Sequence, residues 1–105
     1  MALTYKVAIV EDEGIYTDAL LQMLTRFGEE NDIVFSPTVF ESAEGFLFEY
    51  EKNFDIVFMD IELPGKNGID ASKELREKDE DVTIVFITNM AQFAIRGYEV
   101  NALDY

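Results

Sequence analysis

Three acids and a hydroxyl stand where short apolar runs stop: Glu11 and Asp12 follow "KVAIV", Asp60 follows "FDIVFM", and Thr88 closes "VTIVFIT". Singly, each has an ordinary explanation. An acid at such a point is usually a turn former or helix cap, and a terminal threonine is usually the last β-branched residue of a strand. Taken together they describe a chemistry. Carboxylates gathered from separate strands repel one another, and a hard divalent cation, Mg²⁺ or Mn²⁺, held on oxygen ligands relieves that repulsion. A carboxylate beside such a cation can serve as a nucleophile, because the metal neutralises and aligns the oxygens of an approaching phosphoryl group. Asp60 suits the nucleophile, rooted in a strand and followed by the turn residues Pro64 and Gly65. Glu11 and Asp12 suit metal ligands. The Thr88 hydroxyl and the backbone N–H groups after Asp60 and Thr88 could donate to phosphoryl oxygens.

Such a pocket requires strands that end side by side. The patterning supplies them as an alternation of buried runs and amphipathic stretches. Lys6 to Val10 reads as a first strand. Gly14 to Phe27, apolar at Ile15, Ala19, Leu20, Met23, Leu24 and Phe27, reads as a helix closed by Gly28. Asp32 to Ser36 is a second strand, and a helix follows Pro37, starting at an N-cap Ser42 and running through Phe46, Leu47 and Tyr50. Phe54 to Met59 is a third strand, continuously apolar and so covered on both faces. A helix from Gly68 to Lys78 leads to a fourth strand, Val82 to Thr88, then a short helix, Gln92 to Glu99, and the opening of a fifth strand in "NALDY". Strands alternating with helices imply right-handed crossovers onto one parallel sheet wrapped on both faces. Ligands of such sheets collect at the carboxyl ends of the strands. If strands one, three and four are neighbours about 5 Å apart, the three acids and Thr88 meet in one pocket.

Composition removes other chemistries. The chain has no cysteine and no histidine, so disulfides, thiolate or imidazole zinc sites and histidine acid–base catalysis are all excluded. The missing cysteines are compatible with a reducing cytosol. Twenty-two acids against eight basic residues give a net charge of −14, which repels nucleic-acid backbones and anionic lipid. The start of the sequence lacks a signal peptide's apolar core and no run is long enough for a membrane span, so a cytoplasmic location is expected. With 105 residues, 49% of them hydrophobic, the chain is read as one domain with a single core.

The segments "AIVEDE", "DIVFMDIELPGKNGID", "VTIVFIT" and "AIRGYEVNALDY" together resemble the receiver domain of bacterial two-component response regulators, across essentially the whole chain. The resemblance implies a flavodoxin-like (βα)5 doubly wound parallel sheet with strand order 2-1-3-4-5. It implies that Asp60 is the phosphoacceptor, receiving a phosphoryl group from a phosphohistidine on a sensor histidine kinase. Asp12, Asp60 and the backbone carbonyl of Glu62 would bind Mg²⁺, with Glu11 assisting. Thr88 would be the switch hydroxyl and Tyr105 the aromatic switch. The tail from Phe93 is similar to receivers joined to LytTR-type DNA-binding domains, implying a transcriptional output domain in the intact protein. Asn89, Met90 and Glu62 fall where the family controls access of hydrolytic water.

One departure stands out. The family places a lysine a few residues beyond the position of Tyr105, and this sequence ends before it. The 1–105 receiver is therefore read as incomplete, cut within strand five and lacking the last helix, which leaves an apolar strip that self-association could bury. Two rivals remain at this point. A Mg²⁺-dependent phosphatase with an aspartate nucleophile wants a second carboxylate two residues on, and Glu62 sits there. A non-catalytic acidic interaction domain would tolerate Asp60→Asn. Phe46, Leu47 and Phe48 read as packing, or else as a face for docking a partner, and Tyr98 as packing or part of a signalling face.

Overall fold

The computed structural model describes residues 3–87. They form β1 (Leu3–Val10), α1 (Gly14–Asn31), β2 (Ile33–Phe40), α2 (Ala43–Glu49), β3 (Ile56–Asp60), α3 (Gly68–Lys78) and β4 (Thr83–Ile87). The four strands are all parallel and lie in the order β2-β1-β3-β4. The order reverses at β1, since β2 lies on one side of it and β3 on the other, so the carboxyl ends of β1 and β3 flank the crevice where such sheets bind ligands. Thr88, Met90, the expected helix Gln92 to Glu99, Tyr98, the fifth strand and Tyr105 lie outside the described residues.

The register sorts the core into two faces. Ala8 and Val10 pair with Val57 and Met59, which pair with Ile84 and Phe86. Five of these six side chains are fully buried and Phe86 nearly so, and they form one cluster with Phe46 and Leu47 of α2 and Ile69, Ala71 and Leu75 of α3. The opposite face carries Val7 and Ile9, also fully buried, beside half-buried Ile56, Phe58 and Val85. The central strands are thus apolar on both sides, as their unbroken hydrophobicity requires. On α1, Ile15, Met23 and Phe27 remain exposed.

Several limits differ from those read from the sequence: β1 starts at Leu3 and not Lys6, β3 spans Ile56–Asp60 and not Phe54 to Met59, and α1 and β2 both run on past an expected stop. Gly28 does not end α1, which continues to Asn31 and closes at Asp32 in the left-handed region at φ 55°, its N–H bonded to the Gly28 carbonyl. Gly28 is instead a close-approach residue: a methyl group there would overlap the Ile33 carbonyl. Likewise Pro37 does not end β2. The Glu11 N–H donates to the Phe40 carbonyl at 3.0 Å, so even-numbered residues of β2 address β1 and Pro37 turns its nitrogen outward. On an edge strand that position loses no ladder hydrogen bond. The expected Ser42 cap is present, its Oγ accepting from the Gly45 N–H at 3.0 Å; α3 has the expected span Gly68–Lys78, and the structure adds a cap not read from the sequence, Asn67, whose side chain accepts from the Asp70 N–H at 2.9 Å.

Candidate functional site

The tips of β1 and β3 open into a cavity of about 300 Å³ lined by Glu11, Asp12, Glu13, Tyr16, Asp60, Glu62 and Ile87. Five of these seven are acids and none is basic. One carboxylate oxygen from each of Glu11, Asp12 and Asp60 lies within 4.8 Å of the others. The expected convergence of the first and third strand tips is therefore present, and Ile87, the residue before Thr88, brings the β4 tip to the same cavity.

Each acid is held differently. Glu11 follows the last residue of β1 and is buried, its carboxylate accepting from the Glu13 N–H at 3.2 Å. Asp12 is exposed at the mouth. Asp60 is the half-buried last residue of β3, and its Oδ1 accepts from the Glu62 N–H at 3.3 Å. Glu62 thus meets Asp60 through its main chain.

Crowding shows in the proton affinities. Burial pushes the Glu11 carboxyl from its ordinary 4.5 up to about 7; the Asp60 charge adds to this and the Glu13 N–H works against it. Asp60 is raised as well, first by burial and then by the charges of Asp12 and Glu62, while hydrogen bonds from Glu11 and the Glu62 N–H oppose the rise. Folding has therefore enclosed anionic charge with no basic side chain among the described residues that line it. That is the environment a hard, oxygen-seeking cation favours, and the donors fit one: three carboxylates on two fixed strand ends with room at an exposed mouth.

The loop after Asp60 is anchored by the two glycines read from the sequence as turn and helix start, Gly65 and Gly68, and by Glu44, which sequence patterning did not single out. Gly68 opens α3 directly against the end of β3: its N–H donates to the Ile61 carbonyl at 3.0 Å, and a side-chain methyl would overlap the Asp60 carbonyl. Only glycine permits that approach. Gly65 has φ +77° and lies against the Glu44 carboxylate, which accepts from the Lys66 N–H at 3.1 Å. Lys66 is also paired with Glu74 at 3.0 Å. Glu44 was invisible as a site-supporting residue because its partner lies 22 positions away. Tyr16 and Glu13 were missed too, although the offset from Glu11 to the start of a helix could have suggested that its first turn faces the pocket.

The family described as response regulator receiver domain matches residues 7–105. The chain belongs to that family. It is a signalling domain of two-component response regulators. Among curated relatives, the sensory transduction protein LytT of Bacillus subtilis strain 168 is 36% identical over 100 residues, which are 95% of this chain and 40% of that protein. The transcriptional regulatory protein LytR of Staphylococcus aureus is 31% identical over 95% of this chain and 39% of its own length. The receiver thus spans about two fifths of the length of these relatives. Among solved structures, the response regulator TrrA of Thermotoga maritima, in complex with Mg²⁺ and BeF, aligns with TM-score 0.81 and 25% identity, over 96% of this chain and 84% of that one. The fold is the expected flavodoxin-like receiver fold, and the similarity to LytT and LytR agrees with the LytTR-type resemblance of the tail.

Proposed function

We propose that this receiver accepts a phosphoryl group on Asp60 from a phosphohistidine of a sensor histidine kinase, with a divalent cation, Mg²⁺ or Mn²⁺, held by Asp12, Asp60 and the Glu62 carbonyl, with Glu11 assisting. The observation that carries this reading is the approach of three carboxylate oxygens from the β1 and β3 tips to within 4.8 Å of one another, with no basic residue among the described lining. The bound cation would neutralise phosphoryl charge and orient its oxygens. Asp60 supplies the nucleophile: one of its oxygens forms the new O–P bond as the histidine N–P bond breaks, and the imidazole departs with the bonding pair and takes up a proton. The Glu62 N–H, already bonded to Asp60 Oδ1, keeps the carboxylate oriented for that attack. Thr88 would donate to a phosphoryl oxygen and Tyr105 would respond as the switch aromatic.

Phosphorylation replaces one carboxylate charge with nearly two in an acidic pocket. The domain then acts as a cytoplasmic switch, not as an enzyme on external substrates, and passes its state to a DNA-binding output domain. No described helix is long and apolar enough to cross a membrane. The phosphatase reading has less support, because the Glu62 contact with Asp60 runs through the backbone.

Incubation with Mg²⁺ and acetyl phosphate, followed by intact-mass measurement, tests the proposal. A phosphoryl adduct is expected on the unaltered chain and not on Asp60→Asn. Equal adducts on both, or an adduct formed equally well in chelator, would overturn it.

A further inference from the structure

We propose that α2 presents a docking groove for an arginine-bearing segment of a partner protein, separate from the phosphoryl site and independent of its chemistry. Helix α2 is seven residues long and turns Ala43, Phe46 and Leu47 inward. Phe48 points the other way and is 91% exposed, the most exposed large apolar side chain among the described residues. Glu44 and Glu51 flank it at four residues before and three after. Beside it lies an open groove of about 450 Å³ lined by Phe40, Phe48 and Phe54, with Glu49, Glu51, Thr38 and Asn53. Phe40 and Phe54 are fixed edge to face, their centroids 6.0 Å apart at 84°, and Phe46 stands 5.3 Å from Phe40. The aromatic floor is therefore part of the core and cannot collapse to hide itself.

Three rings bordered by two carboxylates, with no basic residue among the described lining, match one kind of side chain. A guanidinium lies flat on an aromatic face while its edge N–H groups reach a carboxylate, and its weak hydration favours such a setting over that of an ammonium. The charge of the whole chain points the same way: at −14 it attracts a cationic segment and disfavours an acidic peptide, a nucleic-acid backbone or an anionic membrane. Burying Phe48 would in addition remove exposed apolar surface that has no role within the described residues. A partner presenting arginine next to an aliphatic residue would satisfy the rings and the acids together.

The probe is acetyl-Arg-Leu-Arg-amide, titrated into the ¹⁵N-labelled chain, with a twin peptide carrying citrulline for arginine. Expected are amide shifts centred on residues 38–40 and 48–54, with binding about tenfold weaker or more for the citrulline twin, for Phe48→Gln, and for the double variant Glu49→Gln/Glu51→Gln. Because the Phe48 side chain lies outside the core, Phe48→Gln keeps the fold, and its undisturbed spectrum elsewhere checks this. Several results would overturn the proposal: no localised shift at millimolar peptide, shifts spread over the acidic surface or centred on the Asp60 pocket, or equal binding by the twin or by Phe48→Gln. Shifts at the same residues that grow with chain concentration in the absence of peptide would assign the groove to a second copy instead, and would equally overturn it.

Discussion

Glu11 binds its proton more tightly in the folded chain than an ordinary glutamate, about 7 against 4.5, because burial beside Asp60 penalises its charge. Between those two values the folded state keeps a proton that the unfolded chain has released, so this residue's contribution to stability declines as pH rises through that window. In chelator, urea denaturation should show a loss of roughly 2 kcal/mol from this group across the interval, and Glu11→Gln should flatten the decline. Mg²⁺ should reverse the trend, stabilising the chain more above pH 7 than at pH 4.5, because a protonated ligand competes with the cation. A wild-type profile superimposable on that of Glu11→Gln would refute this account. Elsewhere, the Tyr50 hydroxyl donates to Asp79 Oδ2 at 2.6 Å, tying the end of α2 to the residue that closes α3. Tyr50→Phe should cost about 1–2 kcal/mol by denaturation, the worth of a hydrogen bond to a charged acceptor. The acids of the site could be read from the sequence because their position after apolar runs is a local signal. Their supports could not: Glu44 acts on Lys66 and Gly65 through the folding of a distant turn.

Helix α3 sets the position of the Asp60 loop through the close approach of Gly68 to the end of β3 and through the Glu74–Lys66 ion pair. Gly68→Ala has to push the helix away from the strand or bend the loop, and overpacking of that kind costs about 3 kcal/mol. The same displacement should weaken Mg²⁺ binding, measured by calorimetry, although no ligand is altered. Unchanged stability together with unchanged affinity would show that the contact is not essential. At this scale the sequence was most legible where the period is regular: α3 has the limits expected from its apolar face, and the Asn67 cap that the structure reveals explains why its start is sharp. It was least legible where one residue type has two uses. Gly28 looks like a helix stop yet serves clearance against β2, and Pro37 looks like a strand stop yet sits on an edge where its missing donor is harmless.

At the scale of the sheet, the four described strands and their parallel direction followed from the alternation of patterns, whereas the adjacency of β1 and β3 is a long-range pairing that no local window contains. Family resemblance supplied the order that periodicity alone could not. The net charge of −14 imposes a general repulsion on the compact state, so adding monovalent salt should raise the melting temperature in both the unaltered chain and Asp12→Asn. At matched ionic strength Mg²⁺ should give a further increase that Asp12→Asn loses, which separates screening from occupation of the site. Equal gains in the two proteins would assign the whole effect to screening. The edge strand has one more consequence. A foreign strand aligning along the outer border of β2 would find a donor absent at Pro37, midway through the new ladder, and would lose a bond where pairing should be firmest. The β2 border of the sheet is thereby a poorer seed for fibril growth.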